Sequence, residues 1–207
     1  MTRTIVFAFV RTCALALVVA QGTAAAAAEP MPRELSALRE SLAKTRKVSA
    51  RFKQSRHWAA LKDTLVSGGT LRYEKGGPLV WHTDPPAESE LILKGETAIL
   101  SQPALGTRET LDLSADPGMA RVFDSIGAVL QANFEVLEPL FAVSVVRASA
   151  PLTVALRPRA PELARVVKGI RLEFDRRLHL ARVTLDEASG DRTEITFFDH
   201  VVEAAGR

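Results

Sequence analysis

The chain has 207 residues, 47% of them apolar and 25% charged, and a formal net charge of +3. That balance is ordinary for a globular protein and excludes disorder as the main state, while the length fits one domain with or without an appendage. A single cysteine, Cys13, excludes a disulfide framework and a cysteine zinc site.

The first residues have the pattern of an address rather than of a fold. Arg3 is followed by apolar runs, Ile5 to Val10 and Cys13 to Ala20, and then by five alanines, Ala24 to Ala28. A positive start, an apolar middle and a small-residue end predict a secretory signal peptide over 1–28, leaving 29–207 as a single domain. The uninterrupted apolar stretches are short for a membrane span. Cys13 lies inside the apolar run, away from the position a lipoprotein signal needs. Cleavage removes Arg3, Arg11 and Cys13, so the mature chain is exported, thiol-free and close to neutral, at +1.

The mature chain opens with a helix. Pro32 suits the first helical position, Leu35, Leu38 and Leu42 share one face, and Lys44, Arg46 and Lys47 fall near the last turn, where the dipole favours cations. From Val48 to Trp58 the period becomes two, with Val48, Ala50, Phe52, Gln54, Arg56 and Trp58 on one face. Leu65 to Lys75 is a strand in which Gly68-Gly69 predicts a bulge or sharp bend. Leu79 to Thr83 is a short strand. Leu91 to Leu93 and Thr97 to Ser101 flank a tight turn at Lys94-Gly95-Glu96, and Thr107 to Leu113 is a weaker strand. Asp116-Pro117 opens a helix whose stripe is Met119, Val122, Phe123, Ile126, Val129 and Leu130, and Asn133 caps a further turn or two. The remainder is strands: Phe141 to Arg147, Leu152 to Arg157, Ile170 to Asp175, Leu178 to Leu185 with a bulge near Ala181-Arg182, and Arg192 to Phe198. Short links and one-face alternation predict a mainly β protein, an antiparallel sheet whose apolar face is covered by the two helices.

No nucleophile elbow, zinc-protease helix, Walker loop or dinucleotide fingerprint occurs, and the four histidines (His57, His82, His179, His200) are scattered. No enzyme, catalytic residue, metal set or cofactor is expected. A basic stretch including Arg147, Arg157, Lys168, Arg171 and Arg182 contains only Phe174 as an aromatic, so it lacks the stacking platforms of a nucleic-acid binder. It fits the solvated face of a sheet, or docking to an acidic partner or an anionic lipid head.

Three segments are informative together: Arg51-Phe52-Lys53-Gln54, then Gly69-Thr70-Leu71-Arg72-Tyr73, then Leu79-Val80-Trp81 with Pro85 following. An F-x-Q strand, a G-x-L-x-Y strand and an L-x-W…P segment in this order resemble the outer-membrane lipoprotein carrier family, the LolA-like proteins. The resemblance extends from about Leu35 to Phe198.

The resemblance implies an unclosed half-barrel of about ten to eleven strands, with an N-terminal helix and a mid-chain helical lid over an apolar cavity. It implies a soluble, monomeric periplasmic carrier in a Gram-negative envelope. Such a carrier shields the acyl chains of a lipoprotein or lipid between an inner-membrane exporter and an outer-membrane acceptor. A regulatory module that senses lipoproteins on the same fold is the alternative; a lipid- or glycan-processing enzyme is a more distant one. Parity along the strands names the residues that would line that cavity, Phe52, Gln54, Arg56, Trp58, Leu71, Tyr73, Lys75 and Trp81, and the helical stripe Met119, Val122, Phe123 and Ile126 would line the lid. Two departures point to a divergent branch that handles other acylated lipids. Lys75 aligns where the family has a cavity arginine, and the chain ends at Val201 to Arg207 without the family's terminal strand.

Overall fold

The computed structural model describes residues 32–60, 63–115, 120, 125, 127–131 and 133–204. The leader expected at 1–28 lies outside them. The first element is the helix α1 (Arg33–Ala43). Six strands follow: β1 (Thr45–His57), β2 (Thr64–Glu74), β3 (Leu79–Thr83), β4 (Ser89–Lys94), β5 (Thr97–Gln102) and β6 (Thr107–Asp112). Residues 127–131 are helical, and α2 (Phe134–Leu137) leads into β7 (Phe141–Arg147) and β8 (Leu152–Pro158). The one-turn helix α3 (Pro161–Ala164) precedes β9 (Val167–Phe174), β10 (Leu180–Glu187) and β11 (Arg192–Ala204).

All eleven strands form one antiparallel sheet in the order β6-β5-β4-β3-β2-β1-β11-β10-β9-β8-β7. Each half is a meander of chain neighbours, and the two halves meet where β1 pairs with β11. The outer strands β6 and β7 do not pair, so the sheet is not closed.

Residues opposite one another in a ladder share a face. One row therefore runs Leu100, Leu91, Trp81, Leu71, Ala50 across β5 to β1. Another runs Val145, Val154, Leu172, Val183, Ile195, Gln54 from β7 across to β1. The apolar positions of these two rows thus line up on one inner face. Leu35 and Leu38 of α1, and Phe134 and Leu137 of α2, complete the same buried cluster. Fully burying each of these side chains stabilises the fold by roughly 1.5–3 kcal/mol.

Several local expectations shift. The helix stops at Ala43 with no basic residue in its last turn, because Arg46 and Lys47 already belong to β1. Lys44 is the C-cap, and Lys75 brings a second cation there, its ammonium donating to the Ala43 carbonyl at 3.3 Å. Pro32 is the N-cap rather than the first helical residue. Asn133 precedes α2 without a side-chain capping bond, and its backbone N–H donates to the Ala128 carbonyl at 2.8 Å. Helix α3 interrupts a region read as strands only. Pro161 opens it, and Leu163 is buried in the core. The bulge expected near Ala181-Arg182 is present as a register shift between Leu180 and Arg182.

Gly68-Gly69 makes no bulge: β1 and β2 pair without a break from His57–Thr64 to Lys47–Glu74. Gly69 answers a different need. A β-carbon there would lie 1.9 Å from the His82 carbonyl oxygen of β3 and 3.0 Å from the Phe52 ring. The backbone of the next strand comes too close for any side chain. Gly69→Ala is expected to lower stability by about 1–3 kcal/mol through strand displacement. Gly68→Ala, whose β-carbon meets only the Phe52 carbonyl oxygen at 3.2 Å, should cost clearly less. Urea unfolding of the two variants measures the difference.

Candidate functional site

The centre of the inner face is aromatic. Phe52 stands opposite Gly69 on one side and Phe197 on the other. The missing side chain at Gly69 leaves the Phe52 ring free to lean across β2 onto Trp81 of β3, with centroids 4.4 Å apart. Phe197 closes the cluster edge-on, 6.5 Å from Phe52 and 6.1 Å from Trp81. Contacts of this kind add about 0.5–1.5 kcal/mol each beyond the area they bury.

Toward the β1 terminus the face turns polar. Gln54 and Arg56 follow Phe52 on the same parity and are both buried. The Arg56 guanidinium lies 3.4 Å from the Glu187 carboxylate and 5.4 Å from the centre of the Trp58 ring. Trp58 itself is beyond the end of β1 and only half-buried, so it roofs Arg56 instead of extending the Phe52 face.

A cover lies over the other end. Tyr73 on β2 donates its phenolic hydrogen to Oε1 of Gln131 at 2.8 Å, tying the sheet to the mid-chain helical segment. Burial raises the Tyr73 hydroxyl above its ordinary value of 10, which keeps it protonated as the donor. Arg39 of α1 bonds Glu135 of α2 at 2.6 Å, an exposed pair that fixes position more than stability. Between the cover and the sheet lies an apolar cavity of about 40 Å³, bordered by Leu130, Leu42, Ala50, Leu71 and Phe197. It has room for a few water-sized groups and no more. The two imidazoles of His179 and His200 also border it, stacked with centroids 5.2 Å apart.

Of the residues expected to line a cavity, Phe52, Gln54, Arg56, Leu71, Tyr73 and Trp81 share the inner face. Lys75 does not join them. β2 ends at Glu74, and Lys75 is exposed in the following turn at the end of α1. Met119, Val122, Phe123 and Ile126 lie outside the described residues. Phe197, Gln131 and Glu187 were not singled out from sequence. Phe197 had a signal, because Thr193, Ile195 and Phe197 alternate. Gln131 and Glu187 had none, because each acts through a partner more than 50 positions away. The His179–His200 pair was equally hidden, since a fold-made contact leaves no spacing motif. Among the described residues no group of three or more His, Cys, Asp or Glu is placed to hold a metal ion. No described helix is long and apolar enough to cross a membrane.

Residues 43–206 match the family model described as "Outer membrane lipoprotein carrier protein LolA". The chain belongs to the LolA family. The relation read from the F-x-Q and G-x-L-x-Y strands therefore holds over almost the whole sheet. An "Outer-membrane lipoprotein carrier protein" of Pseudomonas entomophila is 23% identical over 189 residues, covering 90% of this chain and 86% of that protein. Among solved structures, a LolA superfamily protein from Nitrosomonas europaea aligns with TM-score 0.41 and 9% identity, over 83% of this chain and 94% of that one. The MucA/MucB complex of Pseudomonas aeruginosa aligns with TM-score 0.46 and 17% identity, over 84% and 57%.

His179 gives this LolA-family chain a pH dependence with a definite sign. Burial lowers the His179 value below 6.5, outweighing the raising effect of Asp175; His200 and Arg177 lower it further. The folded state then binds its proton less readily than the unfolded chain does. The stability His179 contributes is present above pH 6.5 and is lost as the pH falls through the lowered folded value. Thermal melting is expected to show stability falling on acidification from pH 7 toward 5, with a flatter profile in His179→Gln.

Proposed function

We propose that this protein is a periplasmic carrier that shields the acyl chains of a lipoprotein or lipid on the inner face of its open sheet. It would receive them at the inner membrane and release them at the outer. Membership of the LolA family supports the binding role. The observation that carries the reading is the continuous apolar face centred on Phe52, Trp81 and Phe197, beneath a cover tied to β2 by the Tyr73–Gln131 hydrogen bond.

The physics of the task fits this arrangement. Each methylene taken out of water gains about 0.8 kcal/mol, so an acyl chain of ordinary length gains on the order of 10 kcal/mol. The 40 Å³ cavity cannot take such a chain while the cover is down. Cargo must displace the cover and take over the apolar contacts that Leu130 and its neighbours make. The two compete for one surface, so the net affinity is the difference between two burials. That difference makes release possible: a donor or acceptor has only to shift the balance between covered and loaded states. The Tyr73–Gln131 bond weights the covered state.

Trp58 and Trp81 are the only two tryptophans in the chain. In a Trp58→Phe background the remaining indole, Trp81, reports the centre of the inner face. Brominated fatty-acyl lipid is expected to quench it in a saturable manner, and Tyr73→Phe should increase apparent affinity about two- to ten-fold, the equivalent of one ordinary hydrogen bond. Quenching of Trp58 alone, in a Trp81→Phe background, would overturn the inner face as the cargo site.

A further inference from the structure

The opposite face of the sheet holds a second concavity. It is an open cleft of about 700 Å³ on β8, β9 and β10, extending to the ends of β1 and β11. Its middle is made of small residues, Ala155 and Gly169, on neighbouring strands. Arg171 stands directly opposite Ala155 in the ladder, and Arg157 and Lys168 flank the same floor.

The charges of this cleft are divided unevenly. Its three acids are already engaged. Asp186 bonds Arg192 at 2.7 Å, Glu187 is paired with Arg56 at 3.4 Å, and Asp191 accepts the backbone N–H of Ala59 at 2.8 Å. Arg157, Lys168 and Arg171 are exposed, and none makes an ion pair or side-chain hydrogen bond among the described residues. Arg157, Lys168 and Arg171, from adjoining strands, thus border one hollow, and none of them is paired with its three acids. Val146, on the rim of the cleft, is 63% exposed.

We propose that this cleft docks the protein onto an anionic membrane by holding the phosphate of a phospholipid headgroup. A phosphate ester offers several acceptor oxygens to two guanidinium forks and an ammonium, a better match than isolated carboxylates. The two free guanidinium groups and the ammonium border a single cleft, so one phosphate can meet more than one of them. An exposed valine beside the cations belongs at a boundary that is half hydrocarbon. The net charge of the chain is small, so clustering rather than total charge supplies the attraction. The inference does not rest on the carrier reading, because docking is measured with no cargo present.

The test is co-sedimentation of the full chain with vesicles of phosphatidylglycerol in phosphatidylcholine, against phosphatidylcholine alone. The native protein is expected to partition onto the anionic vesicles only. Arg157→Gln and Arg171→Gln should each weaken partitioning about five-fold, and together about 25-fold, the contribution of one basic residue near an anionic leaflet. Arg33→Gln, an exposed arginine outside the cleft, should leave it unchanged. Arg157 and Arg171 have no ion pair or side-chain hydrogen bond among the described residues, so the variants should melt like the native chain; that melt separates loss of docking from loss of fold. Equal partitioning of the double variant and the native chain would overturn the proposal, as would an equal loss in Arg33→Gln. Binding of inorganic phosphate or polyglutamate by a protein that ignores the vesicles would also overturn it, assigning the cations to a soluble anion or an acidic protein.

Discussion

Everything in this molecule depends on the pairing of β1 with β11. Without it the chain is two meanders, each with an exposed edge and half an apolar face. With it, the rows of Leu, Val and aromatic side chains run unbroken from one half into the other, and Phe52 meets Phe197 across the junction. The pairing joins residues close to both ends of the described chain, Thr45 with Ala204. Contacts so distant in sequence are slow to form, because the loop must be closed before they reward it. The strands are long here, 13 residues each, and this ladder is the longest in the sheet beside β1–β2. Arg46 reinforces it from the outside, bonding Glu203 at 2.8 Å while lying 3.8 Å from Glu74 on the other neighbouring strand. That bond holds the Glu203 carboxyl below its usual value.

The two faces of the joined sheet are specialised by parity alone. Each strand alternates, so residues such as Ala50, Phe52 and Gln54 go inward while Arg51, Lys53 and Ser55 go outward. Inward positions make a surface that has to be covered, either by protein or by something else apolar. Outward positions carry the charge. The cleft of Arg157, Lys168 and Arg171 uses this second face, back to back with the first. The carrier and docking proposals therefore use different sets of side chains, with Glu187, which lines the cleft and pairs with Arg56, as a link between them.

Much of this was legible in the sequence, and the reasons for the remainder are physical. Alternation is a local property, so the faces of β1, β2 and β11 and the bulge at Ala181-Arg182 could be read directly. Helix α3 is a single turn begun by Pro161, too short to show a period. Lys75 was placed by parity, and parity fails one residue past a strand end. Trp58 was misplaced for the same reason. The bulge or bend expected at Gly68-Gly69 is absent, because a glycine required by a neighbouring backbone and one required by a bulge look alike in sequence. The partners of Tyr73 and Arg56 are tertiary facts, and no local pattern encodes them.

The unpaired strands β6 and β7 have a mechanical consequence. In a closed barrel, strand number and stagger fix the radius, and no side chain can alter the bore without breaking ladder hydrogen bonds. An open sheet carries no such closure condition. Its two margins can move apart or together by small changes of twist spread over ten ladders, with every backbone bond kept. The girth of the inner face is therefore an elastic variable, and under the carrier proposal one sequence grips cargo of different thickness with the same set of contacts.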